Sequence, residues 1–376
     1  MKILQIVPGL SIGGPTYSVS TLTKWIMELG HDIQLYAHDK DVRGFEHLNL
    51  HPFSINNFPL NKQLAFSSSL LKELKQECKD ADVIVTNSLW QYPNFVMEKV
   101  RRGTRAKSVI VPRGTLSEVA FARSNIKKKL ILALGQQKAL KYADMFIATC
   151  EKEFQDIRKF GLTQPVAIIP NGVDIPDISE VKKKKQVLFL GRIHPIKGID
   201  ILLKAWSELE HTKKYNDWKL IIAGPVNSDY AQKIISCNTH LKNIKFVGEK
   251  NGQEKNLLMA ESAFYVLPTH TENFGLTVAE SLSCATPVIT TKGAPWKGLI
   301  DNNCGNWVNL SVENIKNAIE LYLNESLIHL QKLGNNGREW IKNNFDWKEI
   351  AAKTILSYDW IINKDLKNKP SWIIID

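Results

Sequence analysis

The chain has 376 residues, enough for two domains that each bury a full core, and its 44% hydrophobic and 9% aromatic content describes a globular protein, not a disordered or fibrous one. No apolar run approaches the roughly 18 residues of a membrane span; the opening run stops at Pro8, too short for a secretory leader; and five scattered cysteines without metal-ligand spacing point to reduced thiols in a cytoplasmic protein. The net charge of +11 is concentrated, since Lys99 to Lys141 holds twelve Lys/Arg against Glu118 alone, and twelve minus one equals the excess of the whole chain; such a field suits an anionic partner.

In chain order, KILQIV at 2–7 reads as a strand, and a Gly/Ser loop leads into a helix from Thr16 to Leu29 that Gly30 ends. HDIQLYAHD is a second strand, a helix near Ser67–Lys79 precedes the strand ADVIVTNS, and SVIVPRG follows. A basic helix at 126–142, then ADMFIATC and VAIIPNG, close the half. Val/Ile-rich strands without strict alternation, separated by helices, predict a mostly parallel sheet covered on both faces. A charged, Pro-containing linker at 174–186 follows, and the pattern restarts with QVLFLGRI, WKLIIAG, IKFVG, AFYVLP and PVITT, interleaved with helices. The fold class is α/β with an N-terminal domain over 1–173 and a C-terminal domain over 186–346. The amphipathic stretch from Trp347 to Ile362 is expected to pack back on the first domain. The tail KDLKNKPSWIIID ends apolar, and no element is assigned to it.

Chemistry concentrates in LPTHTENFGLTVAESLSCATPVITTKGA, residues 267–294, where seven residues separate Glu272 from Glu280. A helix starting near Asn273–Gly275 presents the amides of Phe274, Gly275, Leu276 and Thr277 as a positive end, and Gly275 admits a close ligand. Arg192 at the end of VLFLG and Lys197 five residues on suit a diphosphate held without a metal. Gly13-Gly14 after the first strand offers further amides. In open α/β sheets ligands bind outside strand C-termini, where all these features fall. Two other patterns compete. Gly9-Leu10-Ser11-Ile12-Gly13 has the nucleophile-elbow form of a serine hydrolase, but only one strand precedes it and Pro15 marks helix initiation. Asp39-Lys40-Asp41 has a metal-binding form but no supporting acid, and reads as a solvated turn; no His/Cys/acid cluster suggests zinc.

GRIHPIKG, then PTHTENFGLTVAESLSCATPVITT about eighty residues later, with IPNGVD at 169–174 and PGLSIGGP near the start, resembles the retaining glycosyltransferases of the two-domain GT-B fold, the "glycosyl transferases group 1" type. The resemblance implies two Rossmann-like domains whose parallel sheets face across a cleft, with a C-terminal helix crossing back to the first. It implies a nucleotide-diphosphate sugar as donor and no cofactor. Arg192 and Lys197 would hold the diphosphate, Glu272 the donor sugar and Glu280 the ribose hydroxyls. The amides of Phe274, Gly275 and Leu276 would surround sugar and phosphate, with Asn273 and Thr277 also on the donor side and Gly13 and Gly14 closing from the N-domain. Many relatives place a histidine where VIVTNS ends; this chain has Asn87 and Ser88 there.

The acceptor belongs to the N-domain in this family. Asn87, Trp90 and Arg113 are candidates on that side, with Tyr92 nearby. The segment 125–142 sets cations beside Ile/Leu positions as an interfacial helix does, so the expected setting is the anionic inner face of the cytoplasmic membrane, with a lipid-linked saccharide acceptor in surface polysaccharide or lipopolysaccharide synthesis. Nucleic acid is not expected, because aromatics do not interleave with the basic residues.

Overall fold

The computed structural model describes residues 1–10, 14–42, 44–57, 61–122 and 125–375. Its strands, in chain order, are β1 (Lys2–Ile6), β2 (Asp32–His38), β3 (Leu50–Phe53), β4 (Val83–Asn87), β5 (Lys107–Val111), β6 (Met145–Ala148), β7 (Val166–Ile168), β8 (Lys184–Leu190), β9 (Lys219–Ala223), β10 (Ile244–Phe246), β11 (Ser262–Leu267), β12 (Val288–Thr291), β13 (Gly305–Val308) and β14 (Ile373–Ile374). They form two sheets, ordered β14-β7-β6-β5-β4-β1-β2-β3 and β10-β9-β8-β11-β12-β13. Every pairing is parallel except β14 with β7, where Ile373 lies opposite Ala167. Central strands such as β4 and β11 are buried at every position, which is why their sequences run apolar without alternating.

The chain divides into two compact units, Met1–Gly172 with Trp347–Asp376, and Val173–Asp346. In the first unit, the helix Trp347–Asn363 buries Trp347, Ile350, Ala351, Tyr358 and Ile361 in a core shared with β1, β4 and β5. Trp347 occupies the space that a side chain at Gly172 would need. The unassigned tail becomes β14, which caps the β7 edge and so removes an open row of donors and acceptors. β3 also escaped the sequence reading, because LHPF carries neither a Val/Ile run nor a flanking signal, and its proline fits only an edge strand.

The basic helix expected over 126–142 is broken. It consists of Asn125–Ile131, a wide turn over Leu132–Gln136, and Gln137–Lys141. Gly135 sits at φ 154°, and a Cβ there would lie 2.9 Å from the Phe95 ring, so the close approach of the preceding helix Tyr92–Val100 selects both the glycine and the break.

In the second unit the helix Leu327–Asn344 lies close against Leu276–Ser283 through two glycines. A Cβ at Gly334 would sit 1.9 Å from the Ala285 carbonyl oxygen, and one at Gly337 would sit 2.5 Å from Leu282. Gly334→Ala in a solvated helix would gain about 1 kcal/mol from propensity. Here the obstacle is backbone, so the variant is expected to lose about 1–3 kcal/mol. Urea denaturation followed by circular dichroism would read this as a lower midpoint, and a raised midpoint would refute the tight contact.

Candidate active site

In the second sheet the strand order reverses between β8 and β11, and the loops leaving those two strands carry the charged groups. β8 runs into Arg192, whose side chain is exposed and makes no ion pair among the described residues. The chain then closes a short turn, Pro195–Lys197, ended by Gly198 at φ 64°. A Cβ at Gly198 would stand 2.0 Å from the Pro268 carbonyl oxygen, so only glycine lets this turn meet the loop after β11. The Thr269 hydroxyl (3.0 Å) and the His270 amide (2.8 Å) both donate to the Ile196 carbonyl, joining the two loops. That joint brings Lys197 Nζ to 2.5 Å from Glu272 Oε1, with both side chains largely buried.

Glu272 is anchored through its amide to the Gly293 carbonyl, and after it the chain turns at Gly275 (φ 82°) into the helix Leu276–Ser283. No side chain caps this helix, so its first amides point out without an intrahelical acceptor. The turn is held from behind: Trp296 Nε1 donates to the Phe274 carbonyl at 2.5 Å, in an aromatic cluster with Phe274, Trp340 and Phe345. Phe274 is therefore a buried anchor, while Asn273 and Leu276 remain half-buried. The Tyr265 hydroxyl lies 3.0 Å from the Leu190 carbonyl and 2.8 Å from Thr277 Oγ1, tying the end of β8 to the first helical turn and drawing the Thr277 hydroxyl inward.

Glu280, one turn deeper, is 7% exposed and meets Lys255 Nζ at 2.7 Å. Burial pushes its carboxyl above the usual range and Asp174 adds to this, while Lys255 pulls it back down. Lys255 comes from the helix Gly252–Glu261, and Trp296 from the turn after β12. Neither has a local sequence signal, since each acts through a partner more than twenty residues away.

In the first sheet the order reverses between β1 and β4. Of the loop after β1, Ser11 and Gly13 lie outside the described residues; Gly14 is exposed and opens the helix Gly14–Glu28. Asn87, at the end of β4, is 3% exposed, and its Oδ1 accepts from Arg113 Nε at 2.9 Å. Arg113 also donates to Ser18 Oγ (3.0 Å) and Asn171 Oδ1 (3.4 Å) and makes no ion pair among the described residues, and burial pushes its guanidinium down to about 10 against the opposing charge of Glu153. Left-handed backbone collects at these strand ends, at Ser88 (φ 67°), Trp90 (φ 78°) and Arg113 (φ 53°), as at strained functional loops. A cavity of about 30 Å³ beside them is lined by Gln5, Asn87, Arg113, Thr149, Asn171 and Tyr358, among others. Trp90 and Tyr92 do not line an open wall. Trp90 donates its Nε1–H to the Thr115 carbonyl and Tyr92 packs against Phe66, each under 10% exposed. Asp39–Asp41 forms a short turn, and among the described residues no three His, Cys, Asp or Glu converge as metal ligands.

The basic segment is partly neutralised by acids outside its limits. Arg101 pairs with Glu98 and Asp144, Arg102 with Glu98, and Arg105 with Asp82. Around the broken helix, Leu130 (61%) and Leu134 (58%) stand exposed, with Lys127, Lys129, Lys138 and Lys141 exposed beside them. No helix among the described residues is long and apolar enough to cross a membrane.

The family model "Glycosyl transferases group 1" matches residues 173–340, and "Glycosyltransferase Family 4" matches 12–176. The chain is 25% identical over 349 residues to an uncharacterized glycosyltransferase of Methanocaldococcus jannaschii, covering 90% of this chain and 92% of that one. The fold is similar to that of a sucrose-phosphate synthase from Thermosynechococcus elongatus, with TM-score 0.78, 18% identity, and coverage of 97% of this chain and 100% of the other. It is also similar to the Anabaena protein HepE in complex with UDP and glucose, with TM-score 0.75, 18% identity, and coverage of 96% and 99%.

A carboxyl whose folded pKa is raised binds more protons folded than unfolded, so its contribution to stability falls as pH rises above the unfolded value near 4.5. Glu280→Gln is therefore expected to raise the denaturation midpoint at neutral pH, with the gain shrinking as pH falls toward that value. A lowered midpoint at neutral pH would show that pairing with Lys255 outweighs burial.

Proposed function

Because the chain is a glycosyltransferase of the GT-B fold, a member of the glycosyl transferases group 1 family, we propose that it transfers a sugar from a nucleotide-diphosphate sugar, with retention at the anomeric carbon, to a hydroxyl of a lipid-linked saccharide. The observation that carries the donor assignment is the grouping at the β8/β11 reversal. An exposed Arg192 with no ion pair among the described residues, Lys197 five residues on, and an uncapped helix N-terminus lie on the loops that leave these two neighbouring strands, and together they offer what a diphosphate's negative charge needs. We assign Glu280, buried deeper in the helix, to the ribose hydroxyls, and Glu272, paired with Lys197, to the sugar.

The reaction breaks the bond between the anomeric carbon and the β-phosphate oxygen. Negative charge grows on that oxygen, and Arg192, Lys197 and the amides of Gly275–Thr277 stabilise it without calling on a metal. On donor binding, Lys197 passes from Glu272 to the β-phosphate, and Glu272 turns to a sugar hydroxyl. The acceptor hydroxyl approaches from the leaving-group face and gives its proton to the departing phosphate, so no pair of hydrolase-type carboxylates is needed. Gly13 and Gly14 are assigned to the diphosphate, and Asn87, Trp90 and Arg113 to the acceptor side. Arg113 and Asn87 shape the strand ends, and Trp90 backs them from within. The exposed Leu130 and Leu134 among lysines support a docking face for the anionic inner leaflet and hence an acceptor of surface-polysaccharide or lipopolysaccharide type.

Arg192→Ala and Lys197→Ala are each expected to lower turnover about 10²–10³-fold, Arg192→Ala with the thermal midpoint little changed and Lys197→Ala with a lowered midpoint, because it leaves Glu272 unpaired in a largely buried position. Full activity in either folded variant would remove the diphosphate assignment. Proton NMR of the first-formed product should show the donor's anomeric configuration, and inversion would overturn the proposed face of attack. In vesicle flotation, the chain should rise with anionic but not neutral lipid, and Leu130→Ser with Leu134→Ser should abolish this. Indifference to lipid charge would favour a soluble acceptor.

A further inference from the structure

We propose that Lys255 is a positioning residue for the donor nucleotide, fixing Glu280 as an ionised acceptor so that the site selects ribonucleoside over deoxyribonucleoside diphosphates. The inference rests on the reading of Glu280 as the group facing the ribose.

The two residues come from adjacent helices, Gly252–Glu261 and Leu276–Ser283, and Lys255 reaches Glu280 Oε1 at 2.7 Å. The lysine is 22% exposed in its side chain and the glutamate 9%, so the contact sits at the edge of solvent with the carboxylate on the inner side. One carboxylate oxygen is engaged by a cation, which leaves the other to accept from a vicinal diol. A protonated carboxyl presents one donor and loses part of that acceptor capacity. Protonation is a real alternative here, because burial and the nearby Asp174 both disfavour the charged form. The other titratable groups near this helix and its C-terminal end do not replace the lysine. Tyr265, from β11, has its hydroxyl committed to Leu190 and Thr277. Cys284, at the helix end, is buried with its thiol pushed up to about 11. Arg338, from the helix Leu327–Asn344, donates to the Ser283 and Pro176 carbonyls. Lys183 donates to Thr286 Oγ1. Lys255 is thus the cation bonded to Glu280 among the described residues.

Calorimetric titration of the full chain tests this, with UDP, GDP and ADP in parallel and the tightest binder carried forward beside its 2′,3′-dideoxy analogue at pH 6, 7.5 and 9. For Lys255→Met, affinity for the ribonucleotide should fall about tenfold at pH 6, the lower range for a charge-assisted hydrogen bond. The dideoxy analogue should be little affected, and much of the loss should be recovered at pH 9. Lys255→Arg should retain the preference for ribose, which a role in packing alone would not predict. Glu280→Gln should collapse the ribo/dideoxy ratio at every pH. If that ratio survives in Glu280→Gln, or no nucleotide binds, the placement of ribose at Glu280 falls and this inference with it. If Glu280→Gln collapses the ratio while Lys255→Met leaves it unchanged at all three pH values, the role of Lys255 alone is overturned.

Discussion

The parallel pairing of β8 with β11, carried to van der Waals limits at Gly198, is the constraint on which the second unit's chemistry depends. Parallel neighbours send their C-terminal loops out at the same end of the sheet, so two segments about seventy residues apart in sequence emerge side by side. What fixes their register is the absence of a side chain at Gly198, which lets the turn carrying Lys197 touch Pro268 and bond to Thr269 and His270. Lys197 then reaches Glu272 as a consequence. Arg192 stays outside that pairing and makes no ion pair among the described residues.

Behind these loops, apolar packing does the positioning. Trp296, Trp340, Phe274 and Phe345 form a solid backing for the turn at Gly275, and the hydrogen bond from Trp296 to the Phe274 carbonyl orients the helix N-terminus. Rigid backing matters because oriented amides stabilise developing charge only if they need no reorganisation. Glu280 carries the opposite cost. Burial there disfavours its charged form, and Lys255 opposes that, so the position costs stability. Arg113 in the first unit shows the same pattern, a cation with neutral partners at strained strand ends.

Local signals were legible where one segment contained both the cause and the effect. The Val/Ile runs marked the central strands, Gly30 ended the first long helix, and Gly275 marked the helix start after β11. They failed where the cause lay elsewhere in the chain. The break at Gly135 is set by Phe95, β3 and β14 exist as edges on strands already built, and the charge of Arg101 and Arg105 is met by Asp144 and Asp82. Trp90 and Tyr92 looked available because a linear reading cannot show what packs over an aromatic ring.

The sequence by itself determined the α/β class, the alternation of strands and helices, and the candidate residues Arg192, Lys197, Glu272, Gly275 and Glu280 at strand ends and a helix start. Those follow from hydrophobic runs, turn residues and spacing, all local quantities. Only the tertiary structure decided that Lys197 faces Glu272, that Lys255 holds Glu280, that Trp296 supports the helix start, and that Asn87 is committed to Arg113. Each of these is a contact between segments far apart in the chain, fixed by sheet order and by where glycine permits close approach, and no window of sequence contains both partners.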